Sequence, residues 1–338
     1  MKVLFIGGTG VISLAVSKLA VKQKVDLWVL NRGKHNELLP KKTNILIGDM
    51  NNKVEISKLL EGHQFDSIVQ WISYTVDDVK RDVELFKGHT KQYVFISSAS
   101  AYLKPIPTLP VTEDVPLGNK YWEYSENKKK CEEYLLSIHS EDFNVTIIRP
   151  SHTYNENKLV FQLKSGAHPY TLVDRILKNK KIIIPDQGME LWTLTYNKDF
   201  AYGFLDILGN PATYGEYYHL TSEKVYTWER IYEMICETLD RKPNIFYVPT
   251  EVILKHFPEF EGELYGDKQK SLYFDNSKIK AVAPNYRSET DYGNIVNKTI
   301  KNILGDKWLQ TIDDEFLVKY EECIKEYEKE NATKNIRF

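Results

Sequence analysis

The sequence predicts an α/β fold built on a doubly wound parallel sheet, and three observations carry this prediction. A short apolar run from Lys2 to Ile6 breaks into a glycine cluster and is followed by apolar residues at helical spacing. Short apolar runs then alternate with amphipathic stretches about six times up to Pro150. Such alternation favours a parallel sheet with helices on both faces. After Pro150 the alternation fades, which indicates a smaller C-terminal lobe.

The predicted strands of the first half are short apolar runs that end in glycine or polar residues. They span residues 2–6, 25–30, 44–48, 66–71, 92–96 and 145–148. Helical periodicity follows the glycine cluster and also covers residues 54–60, 77–86 and 121–139. In the second half we predict strands at residues 182–185, 217–220 and 244–248, and helices at 227–239, 294–304 and 313–330.

Composition and charge narrow the class of protein. The 338 residues are 42% apolar and 27% charged, with a formal net charge of -2, as is typical of a globular chain. The lack of a basic bias argues against nucleic acid as a partner. Three widely spaced cysteines predict reduced thiols and no metal site. No stretch is apolar for long enough to span a bilayer, so we predict a cytoplasmic protein that does not bind membranes.

The glycine cluster after the first strand indicates a phosphate-binding turn. A phosphate needs free main-chain N–H groups at the positive end of a helix, and glycines let that backbone turn tightly. Gly8-x-Gly10-x-x-Ser13 fits the dinucleotide-binding fingerprint, with serine in place of its third glycine. We therefore predict a Rossmann-like domain. Its cofactor-binding residues in this turn are Gly7, Gly8, Thr9, Gly10, Val11 and Ile12.

Residues at the ends of the second and fourth strands indicate which cofactor binds and what borders it. An acidic residue after the second strand would hold the ribose hydroxyls of NAD, but this sequence has Asn31 followed by Arg32. A carboxylate repels a 2′-phosphate, whereas a guanidinium pairs with it. The sequence therefore favours NADP(H), with NAD(H) as the alternative if Arg32 is a solvated turn residue. Trp71, at the end of the fourth strand, is predicted either to border the cofactor or to pack in the core.

Tyr124 and Lys128 are the residues with the most informative chemistry. Their i,i+4 spacing places both side chains on one face of a helix. A free tyrosine has a pKa of about 10, and a nearby ammonium lowers that pKa by favouring the phenolate. Tyr124 could then exchange a proton with a substrate hydroxyl or carbonyl oxygen. A serine hydroxyl at the end of the fifth strand, within residues 97–100, can orient the same oxygen.

The glycine turn, the serine cluster and Tyr124-x-x-x-Lys128 together resemble the extended short-chain dehydrogenase/reductases, notably the nucleotide-sugar epimerase/dehydratase group. The resemblance covers about the first 155 residues well and the rest loosely. It implies that Ser98 is the active serine, with Ser97 and Ser100 as alternatives in register. It also implies that Lys128 hydrogen-bonds the nicotinamide ribose.

The same resemblance implies further binding residues. Asp49 would bind the adenine amino group and Met50 would pack on the ring, although Asp49 could also cap the helix that follows. Pro150 would flank the nicotinamide. The residues predicted toward the substrate are Ser100, His152 and Trp192.

The resemblance also separates reactions within the family. Dehydratases follow the active hydroxyl with an Asp-Glu pair, where this chain has Ala99 and Ser100, so a dehydratase is not expected. Epimerases that grip a nucleotide diphosphate carry an arginine seven residues before an aspartate, where this chain has Trp192. That departure argues against a nucleotide-sugar substrate. Candidates for the missing charge, each also explicable as a solvated surface residue, are Arg175, Lys178 and Arg287.

We therefore predict an NAD(P)-dependent epimerase or oxidoreductase that transfers a hydride reversibly at a secondary alcohol or carbonyl of a sugar-like small molecule. Residues 1–165 would form the cofactor-binding domain, with 190–225 packing back on it. Residues 166–189 and 226–330 would form the substrate-binding lobe, and a homodimer is a mild expectation. The alternative is a regulatory or RNA-binding protein on the same fold that binds a cofactor without turnover.

Overall fold

The computed structural model describes residues 1–166 and 168–335. The strands are β1 (Lys2–Ile6), β2 (Asp26–Asn31), β3 (Asn44–Ile47), β4 (Phe65–Gln70), β5 (Thr90–Ile96), β6 (Asn144–Pro150), β7 (His152–Tyr154), β8 (Ile182–Pro185), β9 (Leu191–Tyr196), β10 (Tyr217–Leu220), β11 (Val225–Thr227) and β12 (Ile245–Val248). The α-helices are α1 (Val11–Lys22), α2 (Lys53–Leu60), α3 (Val76–Phe86), α4 (Glu123–Ser137), α5 (Tyr170–Leu177), α6 (Asn197–Leu205), α7 (Trp228–Thr238), α8 (Thr250–His256), α9 (Glu261–Glu263), α10 (Ser277–Val282), α11 (Tyr292–Gly305) and α12 (Asp314–Asn335).

Seven of these strands form one parallel sheet in the order β10-β6-β5-β4-β1-β2-β3. Every neighbouring pair in it is parallel. The chain proceeds outward from β1 first through β2 and β3, and then on the other side through β4 to β6. The carboxyl ends of β1 and β4 therefore meet at the point where the strand order reverses, which is where sheets of this kind bind ligands.

Apolar side chains of the central strands alternate between two cores because successive residues of a strand point to opposite faces. Val3 and Phe5 face one core, together with residues of α1 and α6. Leu4 and Ile6 face the other, together with residues of α2, α3 and α4. This arrangement confirms the predicted doubly wound α/β sheet.

The predicted elements of the first half agree with the structure to within two residues. In the second half the predicted elements agree to within two residues except the last helix, where α12 continues to Asn335 instead of ending at Glu330. The sequence analysis did not predict α5, β9 or α6. None of the helices within the described residues is both long and apolar enough to cross a membrane.

The described chain divides into two compact units. Unit 1 comprises Met1–Thr153, Leu194–Glu223 and Phe274–Glu289, and contains the seven-stranded sheet. Unit 2 comprises the described parts of Tyr154–Thr193, Lys224–Tyr273 and Thr290–Phe338. Within unit 2, β12 pairs in parallel with β8, and α11 packs on α7 while α12 packs on α8.

Candidate functional site

Gly7 and Gly8 form a turn whose backbone conformation favours glycine. Their φ angles are 105° and 115°, which place a side chain in a strained position. A Cβ atom on Gly8 would lie 3.1 Å from Cγ1 of Val29, and one on Gly7 would lie 3.2 Å from Cγ2 of Ile72. The turn therefore leaves bare backbone at the carboxyl end of β1, where a ligand can approach closely.

Helix α1 starts directly after this turn, with Gly10 as its N-cap and Val11 and Ile12 as its first residues. Ser13 Oγ accepts a hydrogen bond of 2.9 Å from the N–H of Gly10. Asn197 Nδ2 donates to the carbonyl of Val11 at 2.8 Å, a contact that the sequence analysis missed because the two residues lie far apart in the chain. Val11 and Ile12 have N–H groups without an intrahelical acceptor, as in any first helical turn, and these form the positive end of the helix dipole.

A cavity of about 560 Å³ lies beside the glycine turn, at the carboxyl ends of β1, β2 and β3. Six residues that the sequence assigned to the cofactor line it, namely Gly7, Thr9, Asn31, Arg32, Asp49 and Met50. The other lining residues are Leu30, Lys34, His35, Gly48, Asn51, Ile72, Tyr74, Asp78 and Arg81. A glycine turn whose bare backbone borders a cavity of this size fits a dinucleotide.

The end of β2 presents basic side chains to this cavity. Asn31 Oδ1 accepts a hydrogen bond of 2.7 Å from the N–H of Gly33, and its Nδ2 donates to Oδ1 of Asn36 at 2.7 Å. The polar group of Asn31 is thus used within its own turn. Arg32 is exposed and makes no hydrogen bond or ion pair with any described residue, so its guanidinium is available to an anion.

Asp49 and Met50 follow β3 and lie on the cavity wall. Asp49 Oδ1 accepts a hydrogen bond of 3.0 Å from the N–H of Asn51. The N-cap of α2 is Asn52, whose side chain accepts a hydrogen bond of 3.2 Å from the N–H of Glu55. Asp49 is therefore not the helix cap. Its carboxylate stays at the cavity beside the buried Met50.

Trp71 lies just after β4 and packs on aromatic residues. Its ring centroid is 5.5 Å from that of Phe5 and 5.0 Å from that of Phe204. Its indole N–H is buried and has no hydrogen-bond partner among the described residues. Of the two alternatives from the sequence, these contacts favour the core role for the ring.

The serine cluster at the end of β5 is joined to α4 by hydroxyl groups. Ser98 and Ser100 Oγ atoms are 2.8 Å apart, and the N–H of Ser100 donates to Ser98 Oγ at 3.2 Å. Ser125 Oγ donates to Ser100 Oγ at 2.7 Å. Ser98 is half-buried, while Ser97 is buried with an Oγ that has no partner among the described residues. Ser100 is buried, and its hydroxyl is already hydrogen-bonded to those of Ser98 and Ser125.

Lys128 is 2% exposed and holds two strand ends together. Its Nζ donates to the carbonyls of Ser73 and Ile96, each at 2.8 Å. Burial lowers the pKa of Lys128 to about 8, while the charges of Cys131, Glu132 and Asp78 oppose this shift. The ammonium therefore lies beside Ser73, which follows β4, and beside Ile96, the last residue of β5. Ile96 precedes Ser98 by two residues.

Tyr124 lies one helical turn before Lys128, at the start of α4. Lys128 Nζ is 5.8 Å from the centroid of the Tyr124 ring and 4.7 Å from that of Tyr74. The rings of Tyr74 and Tyr124 are 6.2 Å apart. Tyr74, which also lines the cavity, therefore connects the cavity to the Tyr124–Lys128 pair.

A buried carboxylate supports the strand end that Lys128 contacts. Asp82 Oδ2 accepts hydrogen bonds of 2.7 Å from Gln70 and Ser73 and of 2.8 Å from Tyr93. Arg81 lies 3.4 Å from its other oxygen. Burial raises the pKa of Asp82 even though all these groups oppose the shift. This network fixes Ser73, and so fixes one of the two carbonyls that bind Lys128.

Pro150, predicted to flank the nicotinamide, and His152 and Trp192, predicted on the substrate side, lie in different parts of the molecule. Pro150 is buried at the end of β6 and is in register with Leu220. His152 is half-buried at the start of β7. Trp192 is 1% exposed in unit 2 and stacks on Trp228 with a centroid separation of 5.1 Å. Its burial gives the Trp192 ring a packing role and leaves it almost no surface for a direct substrate contact.

The three cations considered as replacements for the missing arginine all have partners. Arg175 is 2% exposed rather than solvated, and its NH1 donates to Glu321 at 2.6 Å. Lys178 pairs with Asp174 at 2.8 Å. The guanidinium carbon of Arg287 lies 3.8 Å from the centroid of the Tyr202 ring. These groups therefore serve local structure.

Comparison with known sequences gives a family match and two curated relatives. Residues 3–220 match the NAD dependent epimerase/dehydratase family. The chain is 27% identical over 241 residues to the Arabidopsis thaliana chloroplast stem-loop binding protein of 41 kDa b, covering 68% of this chain and 60% of that protein. It is 29% identical over 154 residues to UDP-glucose 4-epimerase of Lactobacillus helveticus, covering 40% and 46%. Each match thus spans less than two thirds of the relative.

Comparison with solved structures concerns the fold. The structure of UDP-glucose 4-epimerase from Bifidobacterium longum in complex with NAD+ and UDP aligns with 91% of this chain and 99% of its own. The TM-score is 0.72 at 16% sequence identity. Similarity at this level of identity establishes a shared fold.

Proposed function

This chain belongs to the NAD dependent epimerase/dehydratase family, and from that premise we propose that it transfers a hydride reversibly at a secondary alcohol or carbonyl carbon of a sugar-like substrate. The observation that carries the proposal is the convergence of Tyr124, Lys128 and Ser98. Lys128 Nζ bonds the carbonyl of Ile96 at the end of β5, and Ser98 is joined through Ser100 to the helix that carries Tyr124.

The cofactor would be held by the glycine turn and the adjoining cavity. The turn offers bare backbone and the first N–H groups of α1 to the diphosphate, while Asp49 and Met50 line the part of the cavity where the adenine would lie. The exposed Arg32, with Lys34 beside it on the cavity wall, supports NADP(H) over NAD(H) because these cations can pair with a 2′-phosphate. The nicotinamide would supply the hydride acceptor or donor.

In this proposal Tyr124 exchanges the proton at the reacting oxygen. Its phenolate is favoured by the ammonium of Lys128 on the same helical face, so that it takes a proton from a substrate hydroxyl, and the neutral phenol returns a proton to a carbonyl oxygen. Ser98 Oγ accepts from the N–H of Ser100 and can direct its own O–H at the same substrate oxygen. A donor placed there stabilises negative charge on that oxygen as it develops.

An epimerase and a reductase would use these residues in the same way and differ in the fate of the cofactor. An epimerase re-reduces its own intermediate and regenerates the cofactor, whereas a reductase releases oxidised cofactor after one step. The relative named UDP-glucose 4-epimerase supports the epimerase. Trp192 stands where these epimerases carry a diphosphate-binding arginine, which argues against a nucleotide-sugar substrate bound through that arginine. The assignment of residues 166–189 and 226–330 to substrate binding, the homodimer and the cytoplasmic location remain predictions.

A second candidate function is RNA binding without turnover, on the observation that one relative is named a stem-loop binding protein. This chain has a net charge of -2, which disfavours a broad electrostatic surface for RNA. It also contains both Tyr124 and Lys128, which a binding protein does not need. Titration with an RNA stem-loop at two salt concentrations separates the candidates, since RNA binding through phosphates weakens steeply with salt.

Turnover by a Tyr124→Phe variant tests the proposed function. The wild type and variant are incubated with NADP+ or NAD+ and a panel of sugars, sugar phosphates and UDP-sugars, and both reduced nicotinamide and epimeric products are measured. We expect the variant to lose activity by about 10²–10⁴-fold with unchanged cofactor affinity. Tyr121→Phe, three residues earlier, is the matched control and should retain activity. Equal turnover by Tyr124→Phe and wild type would contradict the assignment.

A further inference from the structure

The segment between β4 and α3, residues 71–75, contacts both the cofactor cavity and the Tyr124–Lys128 pair. It belongs to neither a strand nor a helix, so no ladder of main-chain hydrogen bonds fixes its shape. Ile72 and Tyr74 line the cavity beside the glycine turn. The carbonyl of Ser73 accepts a hydrogen bond of 2.8 Å from Lys128 Nζ. The shape of this segment therefore affects the cavity wall and the Lys128 ammonium together.

Helix α3 supplies acceptors that hold the segment. Asp78 Oδ2 accepts hydrogen bonds from the N–H groups of Tyr74 and Thr75, each at 3.0 Å. Four residues later, Asp82 Oδ2 accepts from Ser73 Oγ at 2.7 Å. The i,i+4 spacing places the two carboxylates on one face of the helix, and their hydrogen bonds show that this face is turned toward the segment.

Asp82 also holds the first part of the segment, through Gln70. Its Oδ2 accepts from Nε2 of Gln70 at 2.7 Å, and Oε1 of the same Gln70 accepts from the N–H of Ile72 at 2.8 Å. Arg81 links the two carboxylates, because its guanidinium donates to Oδ1 of Asp78 at 3.0 Å and to Oδ1 of Asp82 at 3.4 Å. Asp82 is fully buried, so these groups take the place of water around its carboxylate.

We infer that Asp82 is a positioning residue for the proposed hydride transfer, because it holds the Ser73 carbonyl at the place where that carbonyl binds the Lys128 ammonium. A hydrogen bond to the ammonium favours its charged form, and the charged form favours the Tyr124 phenolate. Without the bond to Asp82, the Ser73 carbonyl is no longer held and the ammonium loses one of its two acceptors. This inference rests on the proposed function, since it concerns the same site.

Ser73→Ala and Tyr93→Phe form a matched pair of variants. Each removes one buried hydroxyl that donates to Oδ2 of Asp82, at 2.7 Å and 2.8 Å respectively. Only Ser73 belongs to the segment that binds Lys128. Tyr93 lies within β5, which pairs with β4 on one side and β6 on the other, so its hydroxyl is not needed to place that strand. Both variants should lose a similar amount of stability, and only Ser73→Ala should affect Lys128.

The pKa of Lys128 is the first measurement, made by NMR on the full-length protein with isotope-labelled lysine and without cofactor or substrate. The Lys128 signal is the one that Lys128→Arg removes. We expect Ser73→Ala to lower this pKa by about 0.5–1, because the charged form loses an acceptor, and Tyr93→Phe to leave it unchanged. With substrate, Ser73→Ala should lower kcat by about tenfold at unchanged KM, and kcat/KM should begin to fall at a correspondingly lower pH.

Substitution of Asp82 itself gives a second comparison. Asp82→Asn and Asp82→Ala both remove the charge, but only Asp82→Asn keeps an acceptor for Ser73. We therefore expect a lower Lys128 pKa in Asp82→Ala than in Asp82→Asn, and the Ser73→Ala and Tyr93→Phe pair decides the inference alone if Asp82→Ala does not fold. An unchanged Lys128 pKa in Ser73→Ala, or an equal change in Tyr93→Phe, would overturn the inference. Absence of turnover by the wild type would count only against the proposed function, because this pKa is measured without substrate.

Discussion

The hydroxyl of Ser125, on α4, donates a hydrogen bond of 2.7 Å to the hydroxyl of Ser100, next to the end of β5. Because Ser100 Oγ accepts from Ser125, its own proton is free to point at Ser98 Oγ, 2.8 Å away. In the orientation in which Ser100 donates, Ser98 accepts from both the O–H and the N–H of Ser100. Its remaining proton is left for a substrate oxygen, which is the role that the proposed mechanism requires.

This chain of hydroxyls predicts graded effects of serine substitution. Ser98→Ala should lower kcat by about 10²-fold, because it removes a donor to the developing oxyanion. Ser125→Ala should lower kcat by roughly tenfold at unchanged KM, because Ser98 keeps its hydroxyl but loses part of its orientation. Steady-state kinetics of both variants measure the two effects. Ser137→Ala, at the other end of α4, is the control, and a Ser125→Ala enzyme as fast as wild type would remove the positioning role.

The sequence identified Ser98 but not what orients it. The serine run at the end of the fifth strand is a local feature, so it can be read from the chain. Ser125 reads as an ordinary helix residue because its partner lies on a different element. The same holds for Asp82, which looks like a solvated helix residue in the sequence and is fully buried in the structure beneath Ser73. Partnerships of buried polar groups depend on tertiary packing, which periodicity does not describe.

The lowered pKa of Lys128 predicts a limit on activity at high pH. Burial sets this pKa at about 8, and the groups that oppose the shift are Cys131, Glu132 and Asp78. Below pH 8 Lys128 is charged and favours the Tyr124 phenolate, and above it this support is lost. We therefore expect kcat/KM to fall above about pH 8, measured as a pH profile of the free enzyme.

Lys128→Arg is the variant that isolates this titration. A guanidinium stays protonated throughout the range, so the variant should be slower at pH 7 but should not show the fall above pH 8. The Lys130→Arg substitution, at an exposed position on the same helix, should keep the wild-type profile. A wild-type profile that stays flat between pH 7 and pH 10 would contradict the role of the Lys128 charge.

The exposed guanidinium of Arg32 predicts a measurable cofactor preference. Arg32 lines the cavity without a protein partner among the described residues, whereas Asn31 is used within its own turn. Arg32→Ala should weaken NADPH binding by about 10–100-fold and leave NADH binding within about twofold. Fluorescence titration of both cofactors measures this, with Lys42→Ala as a control on the surface outside the cavity. Equal affinity of wild type for the two cofactors would reject the 2′-phosphate contact.

The fold was predictable where local pattern and global architecture agree. The run from Val3 to Ile6 is apolar throughout because both faces of β1 are buried there, and glycines follow because the turn has positive φ angles. Arg175 shows where such reasoning ends. Its sequence context resembles a helix surface, yet it is 2% exposed and paired with Glu321, 146 positions further along the chain. No local signal specifies a partner at that separation.

His219 predicts a loss of stability at mildly acidic pH. Its ring is buried, with Nε2 donating to the carbonyl of Asp275 at 2.6 Å and Nδ1 accepting from Tyr102 OH at 3.0 Å. A second proton on Nδ1 would require the Tyr102 hydroxyl to accept a hydrogen bond instead of donating it. Burial is the main cause that lowers the pKa of His219 to about 4, and the charges of Arg149 and Lys278 add to it. The hydrogen bond to Asp275 opposes this shift.

Because this folded-state pKa lies below the ordinary value near 6.5, the unfolded chain binds more protons between about pH 4 and pH 6.5. Stability therefore falls as the pH falls through this window, by about 2 kcal/mol at pH 5 relative to pH 7 for His219 alone. Glu113 adjoins His219, and its raised pKa opposes this trend. His219→Gln keeps a donor toward Asp275 and leaves Glu113 in place. Urea unfolding at pH 5 and pH 7 measures the free energy of unfolding of both proteins. Between these pH values His219→Gln should lose less stability than the wild type, by that amount. Equal losses in the two proteins would mean that His219 is not the titrating group.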